Sequence, residues 1–226
     1  MRHEKPHHNV AHEHFLPAGP FAILPLSGNR SSLVWTERAD LAPALVALAR
    51  DDTTRDQFMR ELADRFGDFL GALTCEGPVW AYPLEMHLAR HAVAPRVALI
   101  GDAAHGMHPI AGQGFNLGLR DAATLAEVLA ERCRQDAAVD VGSDAVLAEF
   151  AARRSSDRDG VTRLTDGLVK LFGDTRPGVP LLRDLGLLLF DLSPSAKQAM
   201  SRLSWGFSGQ IPRLARGLPL PGVKSA

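Results

Sequence analysis

Residues 101–122, GDAAHGMHPIAGQGFNLGLRDA, gather the groups in this chain best suited to hold a ligand. Asp102 follows directly on Gly101, histidines stand at 105 and 108, and Gly112, Gly114 and Gly118 lead into a helical pattern. A glycine-rich helix start exposes unpaired N–H groups and the positive end of the helix dipole, which suggests phosphate. The spacing argues otherwise. A P-loop needs G-x-x-x-x-G-K-[ST], yet no lysine occurs between Lys5 and Lys170. A dinucleotide fingerprint puts its first glycine at the strand end, whereas Gly112 lies well beyond Ile100, and Leu117 stands where G-x-G-x-x-G needs its third glycine. What remains is Asp102 at a strand end, the small Ala103 and Ala104, a loop through Pro109, and a glycine-lined helix start at 112–118. An acceptor-only carboxylate suits a sugar or polyol hydroxyl, and free N–H groups suit a carbonyl or a developing anion. His105 and His108 fit satisfied loop histidines as well as a catalytic role.

The elements that must position this segment follow from periodicity. "RVALI", 96–100, reads as a strand buried on both faces of a parallel sheet, and Leu119, Ala122, Ala126, Leu129 and Cys133 mark one face of a helix reaching about residue 134. Upstream, "FAILPL" and "SSLVW" flank "SGNR", whose Gly28-Asn29 can supply the positive φ angles of a hairpin turn. Residues 40–50 and 55–66 are helical, the second with Phe58, Leu62 and Phe66 at i, i+4, i+8 and Thr53 or Thr54 as N-cap. "VWAYPL", 79–84, returns to strand character, with Trp80 and Tyr82, like Trp35, expected in a sheet core. Two amphipathic helices are expected at 144–154 and 161–172.

Composition removes several classes of function. A 226-residue chain with 46% hydrophobic and 23% charged residues can bury a sizeable core. A net charge of −1 without a dense Lys/Arg cluster argues against nucleic acid as a partner. Cys75 and Cys133 form neither a disulfide framework nor a zinc motif, which fits a cytoplasmic setting. Residues 1–14 read as a polar, His-rich leader entering a sheet edge, and a physiological metal site on His7, His8, His12 and His14 is not expected. Residues 193–226 carry Lys197, Arg202, Arg213, Arg216 and Lys224 and no acid, with Trp205 and Phe207 between them. That pattern suits either a solvated face or a peripheral membrane or partner contact.

The pattern G-D-A-A-H-x3-P-x2-G-x-G-x-N-x-G-x2-D-A resembles the second FAD motif of the para-hydroxybenzoate-hydroxylase-like flavoprotein monooxygenases. "FLPAGPFAILPL", "SSLVW" and "YPL" shortly before the motif resemble the ubiquinone-biosynthesis hydroxylase branch, over nearly the whole chain. The resemblance implies an α/β (α+β) flavoprotein-hydroxylase fold, present in part. Residues 1–92 would belong to the substrate-binding sheet domain, 93–135 to a returning FAD-domain segment, and 136–226 to a C-terminal helical region. It places Gly101, Asp102, Gly112, Gly114, Phe115 and Asn116 at FAD: Asp102 on the ribityl chain, and Phe115 and Asn116, by their backbone, on the pyrimidine edge of the ring. Pro109 would face an aromatic, polyprenylated substrate. NAD(P)H would reduce the flavin, O2 would add at C4a, and the hydroperoxide would hydroxylate an electron-rich ring. The family's G-x-G-x-x-G turn for the ADP half of FAD does not occur in these residues, so the chain is expected to be the C-terminal portion of such an enzyme, inactive by itself. Partners would include a ubiquinone-biosynthesis complex, and location would be cytoplasmic, peripheral on the inner membrane. A noncatalytic assembly module, a halogenase and a prenyl reductase are the competing readings; the W-x-W-x-I-P signature of flavin halogenases does not occur.

Overall fold

The computed structural model describes residues 1–107, 112–205 and 210–222. The chain divides into two compact units, residues 1–84 with 169–180, and residues 85–168 with 181 onward.

The first unit is built on an antiparallel sheet. Its strands are β1 (Arg2–His3), β2 (His12–Leu16), β3 (Gly19–Leu26), β4 (Arg30–Trp35) and β5 (Leu73–Thr74), in the order β2-β3-β4-β1-β5. The expected hairpin is β3–β4, in register Phe21↔Trp35 through Leu26↔Arg30. Gly28, at φ +70°, alone supplies the positive φ, whereas Asn29 does not share it. Two helices, α1 (Ala42–Arg50) and α2 (Arg55–Phe66), supply the rest of the core. Phe58, Leu62 and Phe66 on α2 close over Phe21 and Ile23 of β3, with Ala49 and Leu70 completing the cluster. Each fully buried Phe or Leu contributes about 1.5–3 kcal/mol of transfer free energy, so this cluster fixes the sheet against the helices. Thr54 occupies the N-cap of α2 without a side-chain cap bond; its hydroxyl donates instead to Leu48 O at 3.2 Å.

Two expectations about this unit change. The supposed leader contributes β1, held between β4 and β5, because His3 is buried and its ring bonds Lys5 O at 2.7 Å and Ser31 Oγ at 3.1 Å. Residues 79–84 form no strand, and Trp80 and Tyr82 are 64% and 75% exposed. Trp80 instead lies under the Arg50 guanidinium, 5.2 Å from its ring centre. Trp35 does pack against the core, stacked on Phe58 at 5.9 Å.

The second unit contains the short strands β6 (His87–Leu88), β7 (Val93–Ala94), β8 (Val97–Ala98) and β9 (His105–Gly106), and the helices α3 (Gln113–Gln135) and α4 (Asp144–Gly173). α4 ends in the first unit, since residues 169–180 belong there. Where two helices were expected, α4 is continuous. Its polar middle is occupied rather than looped out: Arg154 and Asp157 are buried, and Arg153 reaches Glu131 on α3. The strand expected at 96–100 is corrected as well. Only Val97–Ala98 is extended ladder, paired antiparallel with Val93–Ala94, and no parallel neighbour occurs among the described residues. Without one, Val97 and Ile100 stay 49% and 39% exposed.

α5 (Val179–Asp191) and α6 (Pro194–Ser204) follow. α5 buries no residue, and Leu181, Leu182, Leu185, Leu188, Leu189 and Leu192 lie exposed at and beyond its surface. No helix among the described residues is long and apolar enough to cross a membrane.

Candidate functional site

The segment GDA forms one turn of 3-10 helix, Gly101–Ala103, closed by Ala104 N–H donating to Gly101 O at 2.9 Å. Gly101 sits at φ +58°, a left-handed conformation that costs a residue with a Cβ about 1–2 kcal/mol. That conformation carries Asp102 to the surface. Its side chain is exposed, and its carboxylate makes no hydrogen bond among the described residues.

α3 begins opposite. Gly112 is its N-cap at φ +61°, also left-handed, and as a glycine it offers no side chain to cap the helix. The first N–H groups of α3 therefore lack the oxygen that a Ser, Asn or Asp cap would provide, and they concentrate positive potential where Gly114, Phe115 and Asn116 begin the helix. Phe115 is 76% exposed, Asn116 is exposed, and a Cβ at Gly114 would meet open space. Gly118 has a packing reason: a Cβ there would come within 3.1 Å of Gly101 Cα, so α3 crosses the turn at backbone contact. Ile100, Gly101, Asp102, Gly114, Phe115, Gly118 and Leu119 together line an open cleft of about 360 Å³. The structure thus brings together Gly101, Asp102, Gly114 and Phe115, with Gly112 and Asn116 at the adjoining helix start. Pro109 and His108 lie outside the described residues.

Beneath the turn is a buried ionic network that the sequence did not disclose. Gly101 N–H donates to Asp121 Oδ2 at 3.0 Å, His105 Nε2 to the same oxygen at 2.7 Å, and Arg154 Nε to Asp121 Oδ1 at 2.7 Å. Arg154 Nη1 also donates to Asp157 Oδ2 at 2.6 Å, and Arg120 Nε lies 3.1 Å from that oxygen. All five side chains are at least nine-tenths buried. Burial alone would raise the Asp121 carboxyl, but the hydrogen bonds from His105, Arg154 and Gly101 outweigh it and hold the group below the usual carboxylate range. For Arg120, burial dominates and lowers the guanidinium, with Asp157 opposing. His105, one of the two histidines considered for chemistry, is 1% exposed and faces Asp121, which makes it part of this support. Asp121 was within reach of the motif as its closing acid. Arg154 had no signal, being 33 residues further along the chain.

An open apolar floor of glycine backbone, an exposed acceptor on one side and uncapped N–H groups on the other fit a flat heteroaromatic ring bearing a polyol. No group of three or more His, Cys, Asp or Glu side chains among the described residues is placed to hold a metal ion.

Residues 4–156 match the family model described as FAD binding domain. The chain belongs to that FAD-binding family. Family membership agrees with the resemblance read from the glycine motif, as do the relatives. Ubiquinone hydroxylase UbiL of Rhodospirillum rubrum is 48% identical over 223 residues, covering 97% of this chain and 50% of its own. The 3-demethoxyubiquinol 3-hydroxylase of Escherichia coli is 34% identical, covering 86% of this chain and 48% of its own. Among solved structures, PqsL, a probable FAD-dependent monooxygenase from Pseudomonas aeruginosa, superposes with a TM-score of 0.52 at 26% identity, over 73% of this chain and 44% of that one. The mixed α/β flavoprotein fold and the partial coverage expected from sequence both hold, since the chain spans about half the length of the curated relatives it matches.

Proposed function

We propose that this chain supplies the ribityl- and ring-binding half of the FAD site in an aromatic hydroxylase of ubiquinone biosynthesis, acting on a polyprenylated phenol. The observation that carries the reading is the pairing, across one cleft, of the exposed Asp102 carboxylate with the uncapped glycine start of α3. Asp102 accepts hydrogen bonds from ribityl hydroxyls. The backbone N–H groups at Phe115 and Asn116 meet the pyrimidine edge, and Gly114 leaves room for the ring. Bound there, FAD supplies two-electron redox chemistry with NAD(P)H as reductant and O2 as co-substrate. A helix N-terminus near the ring favours negative charge by about 0.3–1 kcal/mol, which stabilises the reduced cofactor. Pro109 faces the substrate in this reading.

The relatives' names, which refer to ubiquinone or to its precursors, support the substrate class. The proposal extends to a cytoplasmic enzyme that is peripheral on the inner membrane and associates with other ubiquinone-biosynthesis proteins. The exposed leucines of α5, beside acid-free residues 193–226, support the membrane contact. Lys197 contributes less than its charge suggests, since it pairs with Asp191 at 3.0 Å, and Phe207 and Lys224 lie outside the described residues.

Asp102→Ala tests the reading. Loss of charge-assisted hydrogen bonds of about 1.5–3 kcal/mol weakens FAD binding roughly 10- to 150-fold, followed by flavin fluorescence, with the fold intact by circular dichroism. Unchanged affinity removes Asp102 from the site.

A further inference from the structure

β6 and β9 form a two-residue antiparallel ladder in which His87 stands opposite Gly106. The pair is closer than a ladder requires: a Cβ on Gly106 would run into the His87 ring. Gly106 has an ordinary φ, so its lack of a side chain serves the neighbour rather than its own backbone. With that space open, the imidazole lies against the strand and its Nε2 reaches the carbonyl oxygen of Asp102 at 2.7 Å. A carbonyl only accepts, so Nε2 carries the proton and donates.

The turn bearing Asp102 is therefore held at both ends. Asp121 accepts from Gly101 N–H on the buried side, and His87 donates to Asp102 C=O on the exposed side. Rotation about the Asp102 backbone, which would swing its carboxylate out of the cleft, breaks one bond or the other. We propose that His87, seated by Gly106, is a positioning residue that fixes Asp102 in its ligand-facing orientation. The proposal rests on the flavin reading of the cleft.

The test uses the full 226-residue chain and FAD as probe, comparing wild type with Asp102→Ala, His87→Phe, His87→Gln, Gly106→Ala and the Gly106→Ala/His87→Phe double variant. Phe keeps a flat ring against Gly106 without the N–H, and Gln restores a donor. Two quantities are read: hydrogen exchange of the Ala104 amide in ligand-free protein, which reports opening of the turn, and FAD affinity by fluorescence titration. His87→Phe is expected to speed Ala104 exchange and weaken FAD roughly 2- to 10-fold with little change in melting temperature. His87→Gln recovers most of both. Gly106→Ala displaces the ring and reproduces the loss, and the double variant is no weaker than either single one.

If Asp102→Ala loses affinity while His87→Phe matches wild type, the positioning role is overturned and the flavin site stands. Equal melting-temperature losses in the Phe and Gln variants with no difference in FAD affinity also overturn it, in favour of a purely structural histidine. If Asp102→Ala binds FAD as wild type does, or if the wild-type chain fails to bind FAD even when joined to the ADP-binding half of a relative, the flavin reading falls and takes this proposal with it.

Discussion

Asp121→Asn removes one negative charge from a site where Arg154, His105 and Gly101 N–H all converge on the same carboxylate. The amide retains one acceptor oxygen and turns an NH2 toward donors, so at least one buried donor loses its partner. Arg154 and Arg120 are then left to share Asp157. Breaking a buried ion pair from one side costs about 3–5 kcal/mol, against about 0–1 for an exposed pair, because the remaining charge stays desolvated. In a chain of this size that loss lowers the melting temperature by roughly 6–20 °C. The assay is thermal and urea unfolding followed by far-ultraviolet circular dichroism, which reports chiefly on α3 and α4. The pH dependence gives a second reading. Because the folded Asp121 carboxyl is depressed, its contribution is fully present above the unfolded value of about 3.9 and is lost as pH falls through the lower folded value. Wild type therefore loses more stability than Asp121→Asn between about pH 5 and the folded value. A destabilisation below about 1 kcal/mol at pH 7, or parallel pH profiles, would refute the reasoning.

Gly114→Val should weaken FAD more than Asp102→Ala does, since a branched side chain fills the floor of the cleft; equal flavin fluorescence titrations for Gly114→Val and wild type would show that the ring does not lie there. Gly118→Ala places a Cβ 3.1 Å from Gly101 Cα, and the resulting strain is expected to exceed the roughly 1 kcal/mol gain in helix propensity. A higher melting temperature for Gly118→Ala would mean that the turn yields freely. Removing residues 193–226 should reduce cosedimentation with anionic vesicles, most clearly at low salt, by more than it reduces thermal stability; equal cosedimentation counts against a lipid contact.

The parts of this fold legible in sequence are those whose information is local. Phe58, Leu62 and Phe66 recur at helical spacing, and Gly28 sits between two β-rich runs, so α2 and the β3–β4 hairpin follow from periodicity and turn chemistry. Arg2–His3 is too short to show a period, and its place in the sheet depends on contacts to Ser31 and Leu73, far along the chain. The polar run at 153–160 reads as an interruption because charge normally marks solvent; here Arg154 and Asp157 are neutralised by partners on α3, and the helix continues. The site divides the same way. Glycines and the acid at 101–118 declare a close-approach surface by composition, whereas the groups that shape it, Arg154 and His87, are ordinary surface-type residues until folding brings them in.

The network under the turn also sets an order of events during synthesis. Gly101 leaves the ribosome 56 residues before Asp157, an interval of roughly 3–11 s at ordinary elongation rates. Until residue 154 has emerged, Asp121 has no Arg154 to meet, and the left-handed turn lacks the ion pair that anchors its support. A nascent chain arrested before residue 154 is expected to leave Ile100, Phe115 and Leu119, which line the finished cleft, on a surface whose support is incomplete. Maturation of the cleft is thus a late, post-motif event, timed by the emergence of α4, whose Arg154 holds the support beneath it.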